Sequence, residues 1–292
     1  MTLNILESIT NPVKLQEAPL EIVKAVQIEL IRIGLFNDRV DGIAGNKTMV
    51  AFHQFKNLTG LGEFDTLGQT TAQKLLKVKS ITPKQLHLGN DLAARIIKYC
   101  LAQNYSVAVG DRLYNLVYVE GVDADGKPNA DRLNEWNDRR IVIEIVGGTP
   151  KIVGNWLATS EPGAKYTYSP LNPEGAARIA FGQYKSWKVG IHKDHEALVQ
   201  VANIKVHRDR NQDGSRAGDP VRIGCYGVNQ HWGYDMTRVD GASAGCLVGQ
   251  SRQGHREFMA LIKQDQRYQA NHNYLFDTAV IPGDDLAKRF PA

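Results

Sequence analysis

The stretch Arg140-Ile-Val-Ile-Glu-Ile-Val146, Gly147-Gly148, Lys151-Ile-Val-Gly-Asn-Trp156 constrains the fold more than any other part of the chain. The first run has the alternation and β-branched content of a strand. The glycine pair supplies the positive-φ residues of a tight turn, and the second run returns as the partner strand. A β-hairpin near mid-chain opens a sheet. Upstream, Tyr114-Asn-Leu-Val-Tyr-Val-Glu120 reads as another strand, preceded by a helix at about Asn90 to Gln103. Gly121 to Asp138, with Asp123-Ala-Asp-Gly-Lys-Pro128, reads as a polar loop.

The first eighty residues follow a different period. Glu21 to Gly34 places Ile22, Val26, Ile28, Leu30 and Ile33 mostly on one helical face, with Gly34 as the C′ residue. A turn, Val40-Asp-Gly-Ile-Ala-Gly45, leads to a second amphipathic helix, Thr48-Met-Val-Ala-Phe-His-Gln-Phe55. Leu67-Gly-Gln-Thr-Thr-Ala-Gln-Lys-Leu-Leu76 repeats the turn-plus-helix arrangement, and Lys77 to Lys84, with Ser80 and Pro83, interrupts the pattern. A chain of 292 residues has apolar content for two ordinary cores. The expected class is α+β, with an extension at 1–20, a small three-helix domain at 21–77, a linker at 78–89 and a larger, mainly β domain at 90–292.

The chemistry concentrates in Gly227-Val-Asn-Gln-His231-Trp-Gly-Tyr and Ser243-Ala-Gly-Cys246-Leu-Val-Gly. A cysteine attacks only as thiolate, and with a free pKa of roughly 8.5 it needs an imidazole or backbone dipoles nearby. His231 is the expected base for Cys246. Gly245, with Ser243 just before it, lets the main chain approach a substrate carbonyl so that N–H groups around Gly245 and Cys246 receive the oxyanion. Trp232, Asp41, Gly42 and Gly45 are the expected substrate contacts, although the turn glycines serve backbone geometry equally well. The bland reading of Cys246 is an inert buried thiol. Cys100, in a helical run, reads as core, and Cys225 as a strand-core cysteine.

These motifs resemble two families. The histidine, loop and Ser-x-Gly-Cys order, with Ser243, Gly245, Cys246 and His231 in place, resembles the L,D-transpeptidase (YkuD-like) catalytic motif. Ala244 stands where that family has histidine, and Leu247-Val248-Gly249 replaces its apolar residue followed by Arg or Asn. The early hairpin, then Ala158-Thr-Ser-Glu-Pro-Gly163 and Ser169 to Ile179, resembles the same family's layout. The N-terminal Val-Gln, Asp41-Gly42-x-x-Gly45, Thr48, Phe52-x-x-Phe55 and Leu67-Gly pattern resembles a three-helix peptidoglycan-binding module. The resemblance implies a larger L,D-transpeptidase-like catalytic domain, peptidoglycan as partner and a Cys/His acyl transfer needing no cofactor. Hydrolysis, as in a phage endolysin, or transpeptidation would follow from the acceptor. The competing class is a non-catalytic wall-binding or phage-tail component.

Asp209, Asn211, Asp213 and Ser215, with Gly214 at the sixth position, match the start of a calcium loop. The twelfth position is Pro220, and Asp219 would have to substitute for the bidentate glutamate. A structural calcium ion here and an Asx-rich surface turn are the two alternatives. Zinc is not expected. His192-x-x-His195 flanks Lys193-Asp194, read as an exposed turn, and neither these nor His207 have a third ligand at familiar spacing. His255 reads as packing or capping a helix.

Lys and Arg exceed Asp and Glu by four without a like-charge run, so nucleic acid is not an expected partner. No 18-residue apolar stretch predicts a membrane span. Met1 to Leu20 lack a basic segment followed by an apolar one, so no secretory signal is read. The expectation is synthesis in the cytoplasm and action at the wall after lysis or delivery, with phage-particle or injection-machine proteins as candidate partners. An odd cysteine count of three fits a reducing compartment.

Overall fold

The computed structural model describes residues 5–36, 38–78 and 86–292. Much of the expected linker lies outside them. Two bodies are built with different periods, and the class is α+β. In the first body, strand β1 (Val13–Lys14) pairs with β2 (Thr66–Leu67), and helices α1 (Leu20–Arg32), α2 (Asn46–Thr59) and α3 (Gln69–Lys77) enclose Val26, Leu30, Phe52, Phe55 and Leu75. These residues recur at helical spacing, so one stripe of each helix is removed from water while the opposite face stays wet.

The second body begins with α4 (Leu92–Ala102), β3 (Gly110–Glu120) and the hairpin of β4 (Asp138–Val146) with β5 (Thr149–Thr159). Val146 pairs with Thr149, and Gly147 and Gly148 both have positive φ, as the two-residue turn requires. There follow α5 (Ala164–Tyr168), β6 (Ala176–Ile179), β7 (Gly182–His192), β8 (His195–Gln200), β9 (Ile204–Asp209), β10 (Val221–Gly224), β11 (Gln230–Trp232) and β12 (Leu247–Gly249). The chain ends with α6 (Arg252–Ile262), α7 (Gln266–Ala270), β13 (Phe276–Pro282) and α8 (Gly283–Arg289).

Eight strands close a barrel in the order β11, β12, β5, β4, β3, β13, β7, β8. Alternate residues of its strands serve two cores. Leu116, Tyr118, Val142, Trp187 and Val280 fill one cluster, whereas Val117, Val119, Ile141, Ile143 and Ile281 pack with Ile96, Ile97 and Cys100 of α4 in another. Burial on both faces explains why these strands read as near-continuous apolar runs. A separate three-stranded sheet, β10-β9-β6, stands beside the barrel.

The two bodies meet at Phe64 and Asp65. Phe64 joins the barrel's apolar cluster, and Asp65 accepts from His53 Nε2 at 2.7 Å and from Lys185 Nζ of β7 at 3.1 Å. Burial alone would raise the Asp65 pKa, but the His53 hydrogen bond and the Lys185 charge hold it well below the usual carboxylate range.

In the first body the Asp41-Gly42 turn is tied to one fully buried side chain. Gln27 Nε2 donates to Asp41 Oδ1 at 2.8 Å and to Thr48 Oγ1 at 3.0 Å, and Gln27 Oε1 accepts from the Asp41 and Gly42 N–H groups at 3.1 and 2.9 Å. The Gly45 carbonyl accepts from Met49 and starts α2. Truncating Gln27 removes the acceptor of the half-buried Asp41 and Gly42 N–H groups and the donor to Asp41 and buried Thr48, so Gln27→Ala is expected to destabilise this body by about 1–3 kcal/mol. Urea unfolding followed by the helical signal measures this, and an unchanged midpoint would show that the turn stands without Gln27.

Candidate active site

Strands β11 and β12 run parallel, with Gln230, His231 and Trp232 opposite Leu247, Val248 and Gly249. The register places Asn229 beside Cys246, and the Leu247 N–H donates to the Asn229 carbonyl at 2.9 Å. The chain reaches Cys246 through a tight turn. Gly245 has φ +123°, and a Cβ there would lie 2.3 Å from the Ala177 carbonyl oxygen of β6, so both the conformation and the close approach require glycine. Ser243 Oγ fixes the turn by accepting from the Gly245 N–H at 3.1 Å and donating to the Cys246 carbonyl at 2.9 Å.

That bond corrects one expectation. The Gly245 N–H is committed to Ser243, so it is not a free oxyanion donor. The Cys246 N–H has no acceptor among the described residues and is the backbone group left to serve.

Cys246 is half-buried and lines a cleft of about 360 Å³ between the small sheet and the barrel edge, together with Tyr166, Ala177, Arg208, Tyr226 and Gly227. Its thiol donates to the Gly227 carbonyl at 3.6 Å and accepts from the Asn229 N–H at 3.4 Å. Burial pushes the thiol pKa up to about 11, against the opposing pull of the Asn229 N–H and the Lys193 charge.

His231, 2% exposed, is on the neighbouring strand. Its Nδ1 lies 2.7 Å from the Trp232 carbonyl, which can only accept, so Nδ1 carries the proton and the lone pair is on Nε2. Burial, followed by the positive surroundings of His192, His195 and Arg140, drives its pKa down to about 3, although the Trp232 bond favours the charged form. Imidazole and thiol are thus both neutral at pH 7, and their hydrogen bonds go to separate backbone groups.

Lys193 and Asp194 form an exposed turn as expected, and the two histidines that flank it turn inward. His192 stacks on His231 with ring centroids 4.4 Å apart and meets Asn229 Nδ2 through Nδ1 at 2.9 Å. His195 is buried and stacks on Trp232 at 3.8 Å. The hairpin of β7 and β8 folds its end over β11, which the local sequence does not reveal. Trp232, expected at the substrate, does not line the cleft that holds Cys246, because it packs against His195 with Arg252 and Arg256 near its ring. Asp41, Gly42 and Gly45 belong to the helical body and do not line that cleft either. Cys225 is exposed, not core, since it follows the edge strand β10. Cys100 is buried as expected.

In the Asp209 loop, Asp213 accepts from the Ser215 N–H at 2.7 Å and from Asn211 Nδ2 at 2.7 Å. Asp209 is fully buried and accepts from Arg178 Nε and the Gly214 N–H through Oδ2. Oδ1 of Asp209 and Oδ2 of Asp219 are buried without a partner. Among the described residues no three His, Cys, Asp or Glu side chains are gathered as a metal site. No helix among them is long and apolar enough to cross a membrane.

Residues that the sequence left unremarked complete the site. Asn229 touches both the thiol and His192, and Arg208 lies in the cleft. Asn229 falls inside the Gly227–Tyr234 motif, so its position two residues before His231 was the available signal. Arg208 carried none.

No protein-family model and no curated protein matches the chain. Among solved structures it is similar to a fused Zn-dependent amidase/peptidase/peptidoglycan-binding domain-containing protein from Clostridium acetobutylicum ATCC 824, with 12% identity over 93% of this chain and 99% of that one and a TM-score of 0.27. It is also similar to the L,D-transpeptidase (residues 123–326) from Xylanimonas cellulosilytica DSM 15894, with 14% identity over 90% and 93% of the two chains and a TM-score of 0.19. Superpositions this loose establish neither a shared fold nor a shared activity.

The electrostatics make two measurable statements. In a Cys225→Ser background, iodoacetamide alkylation of Cys246 should climb with pH through 9 without a plateau, because the thiolate becomes dominant only near pH 11. A plateau near neutrality would reveal a preformed thiolate. The ¹⁵N shifts of His231 should show protonated Nδ1 and stay constant from pH 8 to 5, since its folded pKa lies near 3; a titration step near 6.5 would refute the buried neutral form.

Proposed function

We propose that the protein is a peptidoglycan-directed cysteine acyl-transfer enzyme, with Cys246 as nucleophile and His231 as its base. The observation carrying this reading is the geometry of two adjacent parallel strands. One begins just after a thiol that lines a cleft, and the other holds a buried neutral imidazole whose tautomer leaves the Nε2 lone pair to take a proton. Cys246 Sγ attacks a stem-peptide carbonyl carbon as its proton passes to His231 Nε2. The Cys246 N–H faces the developing oxyanion. The C–N bond then breaks, the amine leaves with the proton from His231, and a thioester remains. Water, deprotonated by His231, releases a carboxylic acid, and an amine in its place forms a new peptide bond; in both cases the thiol is restored. The helical body would hold the wall through its exposed surface, and the protein would reach the wall at lysis or by delivery with a particle.

A second reading is favoured by one observation. The raised thiol pKa and the absence of a direct thiol–imidazole hydrogen bond among the described residues suit a wall-binding protein that keeps the site as scaffold. Mass spectrometry of purified peptidoglycan incubated with the wild type and with Cys246→Ala separates the readings. The expected result is stem-peptide fragments or new cross-links from the wild type alone. Products from neither protein, while both sediment with the wall, would leave the binding reading in place. Where products form, kcat/KM should be nearly flat from pH 5 to 9, since it reports the free enzyme's groups near 3 and 11.

A further inference from the structure

The small sheet beside the barrel carries a buried arginine that makes no ion pair with a carboxylate among the described residues. Arg208 of β9 is 6% exposed and pairs in register with Ala177 of β6. Its guanidinium stacks over the Tyr226 ring at 4.7 Å. Nη1 reaches the Gly175 carbonyl at a long 3.4 Å, and Nε is buried with no partner at all. Two other buried arginines nearby are treated differently. Arg178 pairs with Glu161 and Asp209, and Arg216 with Glu120. The adjacent carboxylate, Glu174, feels the Arg208 charge but is paired with Arg222 at 2.8 Å. No carboxylate among the described residues pairs with Arg208.

A buried guanidinium that has neither a counter-ion nor a full set of neutral acceptors gains when an anion meets it, and its planar fork matches a carboxylate in two-point contact. Arg208 lines the same cleft as Cys246. Ala177 and Gly227 line that cleft as well, and at Gly227 nothing lies within 4 Å of where a Cβ would stand, so the backbone there is open to an extended peptide. We propose that Arg208 is a substrate-recognition residue that binds a free carboxylate of the peptide whose carbonyl Cys246 attacks. The substrate class is therefore a short acidic peptide segment, with its carboxylate near the reacting bond. The position of that carboxylate relative to the reaction rests on the acyl-transfer reading; the carboxylate binding itself does not.

The test uses the full chain carrying Cys246→Ala, so that binding is read without turnover. Calorimetry compares the stem tetrapeptide L-Ala-γ-D-Glu-L-Lys-D-Ala as the free acid, as its C-terminal amide and with the glutamate α-carboxylate amidated. Amidation of one of the two carboxylates should weaken binding at least tenfold, and that difference should vanish in the added Arg208→Gln variant. Arg208→Lys, which keeps the charge without the fork, should retain part of it and serves where the glutamine variant does not fold. Equal binding of the three peptides, an acid preference that survives loss of Arg208, or no binding of any peptide overturns the proposal. If the acid preference depends on Arg208 while the wall assay yields no Cys246-dependent product, the acyl-transfer reading fails and the carboxylate site stands.

Discussion

A single buried guanidinium holds the site's two strands in place. Arg140 of β4 is 1% exposed and has no carboxylate partner among the described residues, yet its donors are largely taken up. Nε donates to Tyr118 Oη, Nη1 meets His255 Nδ1 at 3.1 Å, and Nη2 donates to the carbonyls of His231 at 3.0 Å and Leu247 at 3.3 Å. The Phe258 ring lies 4.4 Å away and adds its negative face. Neutral acceptors arranged on all sides offset the desolvation that an isolated charge would suffer. The two carbonyls belong to the residue proposed as base and to the residue after the proposed nucleophile. Strands β11 and β12 are three residues long, too short to specify their own register by pairing alone, and this cation fastens both from inside the barrel.

Behind the other side of Cys246 stands a second polar network. Asp138 accepts from the Gly121 and Ser160 N–H groups, and Ser160 Oγ lies within hydrogen-bonding reach of Glu120 and Asp138. Burial and the neighbouring Glu120 push Asp138 up to about 8, so it carries a proton at neutral pH and can donate. Arg178 and Arg216 supply the positive charge that Glu120, Glu161 and Asp209 need. From Glu161 the chain runs to Gly163, whose N–H donates to the Ser243 carbonyl at 2.9 Å. The turn before Cys246 therefore rests on a charged core, while the strand after it rests on Arg140. Polar interiors of this kind tolerate no missing member, because each leaves its partners buried and unpaired.

What the sequence made legible was local. The Gly147-Gly148 hairpin, the helix at Leu92–Ala102 and the turn before α2 all follow from spacing and residue type. Strand order was not legible, because β13, at the far end of the chain, inserts between β3 and β7, and nothing in its own seven residues names those partners. The same cause hid the packing of His192 and His195, since Lys193 and Asp194 do form the exposed turn their polarity suits while the flanking rings stack on His231 and Trp232 of β11. Cys225 was misread because an edge strand and a core strand share a composition, and only the sheet's width tells them apart. Arg208 had no motif at all. Its meaning comes from the partner it lacks, and a missing partner is visible only when the neighbours are in place.

The neutral resting state sets what the proposed chemistry must overcome. With burial pushing the thiol pKa up and the imidazole pKa down, complete proton transfer between them before attack is strongly uphill. Two features reduce that cost once a peptide fills the cleft. Thiolate and imidazolium, once formed in a dry site, attract one another strongly, and the negative charge passes at once from sulfur to the carbonyl oxygen, where the Cys246 N–H can receive it. Attack and proton transfer must then occur together. A substrate carboxylate held by Arg208 fits this requirement, because it is neutralised by its own cation and adds little negative potential against the thiolate. Arg208, without an ion pair among the described residues, and the neutral Cys246 and His231 would then be two sides of one arrangement that the proposed peptide completes.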